Sequence, residues 1–355
     1  MMHIFQNKRI SSILTVLPDK VVRYEDELEE YPFPVRQSQM LGKMMGYDTR
    51  RQCEPEDCLS EYALYGINYL LEKGILVKND IDAILVVSSS QDYIMPSVSY
   101  IIQGRLGLSE DVYCCDIMQA CGGYQFGLAQ SFMLIDTYGY KKVVLVNGEM
   151  LTKKIGKRDR NARPIIGDGV AVSIIEPSNN GNVYYTSKNY GQLSDAIKIP
   201  AGGLKMPSNS ETVIETKDEQ GNFRSLDDFY MDGEAVFNFV MTKVPPMIDE
   251  ILCTSGYSND SIDFFMFHQP NKYMVDRLID EMDIKAEKCP DNIVGLYGNA
   301  STATVPINIC HNIASDVKKK EVVICLSGFG GGLTCNAIVM KNPPMEYCGI
   351  IDYKH

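Results

Sequence analysis

The chain has 355 residues, 45% of them hydrophobic and 23% charged, with a formal net charge of −12. Such a chain suits a globular protein of one large domain or two fused ones, and its acidity, with no Lys/Arg-rich tract at either end, argues against nucleic-acid binding. Eleven cysteines, an odd number without a CxxC pair, fit reduced thiols better than a disulfide framework or a zinc site. The start, "MMHIFQNKRISSIL", lacks the apolar core of a signal peptide, and no run approaches a membrane span, so a cytoplasmic protein without membrane contact is expected.

An amphipathic pattern over 57–73 precedes the β-branched run "DAILVVSSS" (82–90), and "VYCCDIM" (112–118) reads as a further strand. A helix is predicted over 122–139, and just before it stands Cys121. A thiol at the first turn of a helix feels the partial positive charge of unpaired N–H groups, which favours thiolate. Cys121 is therefore a candidate nucleophile, the ordinary alternative being a buried, inert cysteine.

Strands at "KKVVLVNGEM" (141–150) and "GVAVSIIEP" (169–177) follow, then a polar, glycine-bearing region over 177–224 and a helical pattern over 230–253. "DFFMFHQP" (263–270), "EVVICLSGF" (321–329) and "LTCNAIVMK" (333–341) complete the strand-like runs. Strands alternating with helices argue for α/β layers. The pair 141–150 and 169–177 is echoed by 321–329 and 333–341, so two similar halves are expected, 1–176 and 177–355.

Of the four histidines, His3 and His355 are terminal and His311 lies in a helical pattern. His268 instead ends an apolar run, at the C-terminal end of a strand, where open α/β sheets place their ligand sites. Asn299, in "GNAS" (298–301), can cap a helix or donate its amide to an oxygen acquiring negative charge. "GFGGG" (328–332) suits a tight turn or a backbone N–H brought close to a ligand oxygen. Lacking a lysine and followed by a strand, it is not a phosphate loop.

Taken in order, "DIMQACGG" around Cys121, "IGDGVAV" (166–172), "MDGEAVFNF" (231–239), "HQPN" (268–271), "GNAS" and "GFGGG" make the sequence similar, almost end to end, to one family. It resembles the β-ketoacyl-acyl-carrier-protein synthase III group of thiolase-fold condensing enzymes. The resemblance implies a five-layered αβαβα thiolase-like fold, with the nucleophilic cysteine in the N-terminal half and the histidine, asparagine and glycine loop in the C-terminal half. It implies a catalytic triad of Cys121, His268 and Asn299. By it, Cys121 takes an acyl group from a thioester while backbone N–H groups of Cys121 and the Gly330, Gly331 turn hold the oxyanion. His268 Nε2 and Asn299 Nδ2 then donate hydrogen bonds to the oxygen of a malonyl thioester as it decarboxylates. Arg160, Gly233 and Asn271 are implied substrate contacts. Met95, before "PS", borders the acyl pocket of the partner in a homodimer. Acyl-carrier-protein or coenzyme A thioesters are the implied partners, with no cofactor and no metal.

Neighbouring families differ at readable places. Thiolases carry a second catalytic cysteine where this chain has Gly328 and Phe329. Hydroxymethylglutaryl-CoA synthases carry a glutamate where it has Ser88, Ser89 and Ser90, and elongating synthases a second histidine where it has Asn299. The chain also departs from its own group. The tryptophan that stacks on adenine is missing, with methionines and Tyr47 in its region, and Tyr273 replaces an arginine associated with carrier docking, beside Lys272. The basic run "KKIGKRDRNAR" (153–163) offers an island to an acidic carrier or a phosphate. Two other readings stand beside a decarboxylating condensation: acyl transfer to an alcohol or amine on the same fold, and a non-catalytic subunit of a heterodimer.

Overall fold

The structure, a computed structural model, describes residues 2–355. Nine strands form one hydrogen-bonded sheet: β1 (Met2–Leu17), β2 (Ala83–Val87), β3 (Tyr113–Ile117), β4 (Val143–Glu149), β5 (Gly169–Asn189), β6 (Phe264–Phe267), β7 (Val322–Gly330), β8 (Thr334–Asn342) and β9 (Tyr347–Asp352). The order is β6-β7-β8-β5-β4-β2-β3, with β1 beside both β5 and β9. The principal helices are α1 (Val35–Met45), α2 (Leu59–Glu72), α3 (Val98–Leu106), α4 (Gly123–Tyr138), α5 (Gly233–Ser255), α6 (Lys272–Glu281) and α7 (Thr304–Asn312).

The echo seen in the sequence is an echo of pairing. β2 runs parallel to β4, which pairs antiparallel with β5; β6 runs parallel to β7, which pairs antiparallel with β8. β5 serves both groups, its residues 169–175 on β4 and its residues 183–189 on β8. Pro177 thus lies inside a strand, and the chain passes from the first group of strands to the second within one element. β1 follows it across, pairing with both stretches of β5 through two register shifts.

Successive strand residues point to opposite faces, and here both faces are buried, which is why the runs are continuously apolar. Val143 and Leu145 of β4 point inward against Leu128 and Phe132 of α4, in a cluster that also takes Val305 and Ile309 of α7 and, from the second group of strands, Ile324, Leu326, Ile338 and Met340. Val144 and Val146 point outward against Tyr62 and Ile67 of α2 and Ile102 of α3. On the far side, Val244, Met247 and Ile251 of α5 and Leu278 of α6 cover Phe265, Cys325 and Val339. The layers are therefore α2 and α3, strands, α4 and α7, strands, α5 and α6. A helix enclosed between strand layers must be apolar nearly all round, as α4 is.

Candidate active site

Cys121 occupies the turn between β3 and α4, and three segments meet it. Ser301 Oγ lies 3.6 Å from its sulfur. Gly330 comes so close that a Cβ there would lie 2.8 Å from Cys121 Cβ and 3.0 Å from Sγ, at a φ of +151° that side chains rarely adopt. The backbone N–H groups of Cys121 and Gly331 both point at the sulfur. Sequence position alone predicts a stabilised thiolate; the structure corrects this. Burial, reinforced by the field of Glu149, pushes the thiol up to about 11 against the pull of Ser301 and the two N–H groups. The surroundings therefore favour the thiol over the thiolate.

His268 follows β6 and is fully enclosed, with Phe329 edge-on to its ring at 5.5 Å. Burial lowers its pKa to about 3, so the imidazole is neutral. Its Nδ1 lies 2.6 Å from Thr304 Oγ1, and that hydroxyl donates to the Ser301 carbonyl at 2.8 Å. Asn299 Oδ1 accepts from Ser301 N at 2.8 Å, which leaves Nδ2 as the amide group available to the cavity. The Asn299 backbone is fixed by donating to Ile165 O at 2.7 Å and accepting from Gly167 N at 3.2 Å. Gly167 permits this interlock, since a Cβ there would sit 2.1 Å from the Tyr297 carbonyl oxygen. "IGDGVAV" and "GNAS" are thus two sides of one joint.

Cys121, His268, Asn299, Ser301, Gly330 and Gly331 line one cavity of about 1160 Å³. Arg160, Gly233 and Asn271 line it too. A Cβ on Gly233 would meet nothing within 4 Å, and Asn271 Oδ1 accepts from Met274 N at 2.9 Å as the N-cap of α6. Met95 does not reach the cavity of its own chain. It is 80% exposed, in an apolar patch with Tyr93 and Ile94.

Residues 115–191 match the family model described as 3-oxoacyl-[acyl-carrier-protein] synthase III, and residues 252–342 match the model of its C-terminal part. A β-ketoacyl-[acyl-carrier-protein] synthase III of Streptococcus thermophilus is 31% identical over 94% of this chain and 98% of its own. One of Lactobacillus helveticus is 30% identical over 95% and 99%. The chain belongs to the β-ketoacyl-acyl-carrier-protein synthase III family. The solved 3-oxoacyl-(acyl-carrier protein) synthase of Burkholderia xenovorans LB400 superposes with a TM-score of 0.92, at 26% identity and 99% coverage of both chains. The thiolase-like fold and the condensing-enzyme class expected from the sequence both stand. No helix among the described residues is long and apolar enough to cross a membrane.

Beside other synthase III chains, this one has its departures at the wall of the cavity. Where the sequence shows no tryptophan, the Arg160 guanidinium lies over the Phe33 ring at 3.4 Å, an aromatic partner that sequence reasoning missed. Tyr273 stacks on Phe237. Lys272, beside it in the sequence, is tied to Asp276 at 2.9 Å and to Asp291. In the basic run, Arg158 pairs with Glu215, Arg163 with Glu27, and Lys153 with backbone carbonyls, whereas Lys154 and Arg160 face the cavity. Sequence reasoning also missed a carboxylate. Ser89 and Ser90 stand where a related family has its glutamate, and both hydroxyls donate to Glu149 at the end of β4, at 2.9 and 2.6 Å.

Proposed function

We propose that this synthase III takes an acyl group from a thioester onto Cys121 and condenses it with a malonyl thioester by decarboxylative Claisen reaction. One observation carries the reading: a thiol, an imidazole, a carboxamide and the N–H groups of Cys121 and Gly331 converge on one cavity from four segments. The two N–H groups that face the sulfur suit the oxyanion formed when the thiol adds to a carbonyl, a donor of this kind being worth about 3 kcal/mol. The Asn299 amide presents Nδ2 for the enolate oxygen of the malonyl unit. That oxygen gains its charge only as carbon dioxide leaves, so the bond strengthens in the transition state.

The donor reading extends to the carrier. Arg160 lies on Phe33 at 3.4 Å, so an adenine stacking on the guanidinium from that side would have to part the pair, which favours a pantetheine delivered by acyl-carrier protein over the matching coenzyme A thioester. A homodimer would place the exposed Tyr93, Ile94, Met95 patch against a second subunit.

The test is to incubate the protein with matched acyl-CoA and acyl-carrier-protein donors and weigh the intact chain. An adduct on Cys121, absent from Cys121→Ala and formed faster from the carrier protein, is expected. Stable acylation of Cys121→Ala would overturn the nucleophile, and equal or faster labelling by acyl-CoA the donor preference.

A further inference from the structure

We propose that Thr304 is a positioning residue that fixes the tautomer of His268, so that Nε2 is the nitrogen that takes the Cys121 proton. The inference rests on the roles given above to Cys121 and His268, and it comes from counting protons. A hydroxyl has one hydrogen to give. Thr304 Oγ1 gives it to the Ser301 carbonyl at 2.8 Å, and a carbonyl can only accept. The contact of the same Oγ1 with His268 Nδ1, at 2.6 Å, must then run from Nδ1–H to the hydroxyl oxygen. A neutral imidazole has a single N–H, so Nε2 carries a lone pair.

The opposite arrangement, with Thr304 donating to Nδ1, would leave the Ser301 carbonyl only the Thr304 backbone N–H of the two donors it now has, in a residue only 3% exposed. Thr304 itself is 0% exposed at the start of α7, where packing and a β-branched side chain leave the hydroxyl little choice of rotamer. Ser301 joins the two groups: its Oγ touches the thiol and its carbonyl anchors the tautomer lock.

The arrangement gives the imidazole its part in the first half-reaction. As the Cys121 sulfur bonds to the acyl carbon, the S–H proton passes to Nε2. The donor's C–S bond then breaks, and its sulfur leaves with the electron pair and takes that proton, so His268 is neutral again with Nδ1–H still on Thr304. In the second half-reaction loss of carbon dioxide supplies the electron pair for the new C–C bond, the C–S bond to Cys121 breaks, and the thiolate takes its proton from solvent. At rest Nε2 accepts, which differs from the expectation that it donates.

The tautomer is read directly from protein labelled with [15N]histidine, by two-bond correlation of the ring protons with both nitrogens. His268 should show a pyrrole-like Nδ1 and a pyridine-like Nε2; the reverse pattern in the wild type would overturn the proposal. Thr304→Val keeps the shape without the hydroxyl. It should lose that pattern and slow single-turnover acylation of Cys121 by about 100-fold or more, the range of a misplaced base. Thr304→Ser should restore both. Unchanged acylation in the valine variant, or a serine variant as slow as valine, would also overturn it. Failure of the earlier reading looks different: the adduct would form away from Cys121 while the His268 spectrum stayed as stated.

Discussion

Around Cys121, each polar group of the site is held by a named partner: His268 by Thr304, Asn299 by its neighbour Ser301 and by the distant Ile165, and the thiol by Ser301 and Gly331. Around Arg160 the same cavity is lined differently. The guanidinium rests on Phe33, its single side-chain hydrogen bond among the described residues reaches Gln37 at 3.4 Å, and its Nε is buried with no partner. The contrast teaches where this synthase III is fixed and where it is adjustable. Reacting atoms tolerate errors of less than about 1 Å, so their supports are over-determined. Arg160 has no such set of partners, and the chain there lacks the tryptophan that the resemblance leads one to expect.

Asn299→Ala should break the fixed region most plainly. Acylation of Cys121 should persist while condensation with a malonyl thioester falls about 100-fold or more, the scale of a lost oxyanion donor. Separate assays of adduct mass and carbon dioxide release would show it, and equal losses in both would assign Asn299 to the first half-reaction as well. Gly330→Ala adds a Cβ within 3.0 Å of the Cys121 sulfur at a positive φ, which should cost about 1–3 kcal/mol by urea unfolding and displace the nucleophile.

Glu149 provides a test by pH. Burial raises its carboxyl to about 7, so between about 4.5 and 7 the unfolded chain releases a proton that the folded chain keeps. Its contribution to stability therefore falls as pH rises through that window and is constant on either side. Glu149→Gln should remove that fall, so that the difference between the variant and the wild type shifts in the variant's favour as pH rises; a pH-independent difference would place the carboxylate's titration elsewhere. The smallest effect belongs to the adjustable region. Met95→Trp, at an exposed site outside the chain's own cavity, should leave stability within about 0.5 kcal/mol yet shorten the longest acyl chain accepted, through the partner subunit. An unchanged chain-length profile would detach Met95 from the pocket.

Much of the fold was legible. Strands read at 82–90, 141–150 and 321–329 appear as Ala83–Val87, Val143–Glu149 and Val322–Gly330, because a strand buried on both faces announces itself as an apolar run. The helix over 122–139 is Gly123–Tyr138. β1 escaped notice: Lys8, Arg9, Ser11, Ser12 and Thr15 interrupt its apolar residues, two register shifts break its alternation, and most of its length is nonetheless buried. β9 is short and follows a proline pair, with little pattern of its own. In the site, Cys121, His268, Asn299 and the glycine turn could be named because they lie in compact motifs. Ser301 lay inside the quoted "GNAS" without a role, and Thr304 stands one helical turn further on, the only signal that could have found it. Phe33 and Glu149 gave none, since their partners are 127 and about 60 residues away.

By itself the sequence determined which residues are the candidates for the chemistry and which elements bear them, because both are written in local patterns: apolar periodicity, and short motifs at strand ends. Only the tertiary structure decided the state of those residues. Whether the thiol is ionised depends on how thoroughly water is excluded from Cys121 and on a carboxylate from a different strand. Which nitrogen of His268 holds the proton depends on a hydroxyl 36 residues away and on the carbonyl that hydroxyl must satisfy. Burial and hydrogen-bond partnership are properties of the packed chain, and a proton responds to those surroundings rather than to its neighbours in sequence.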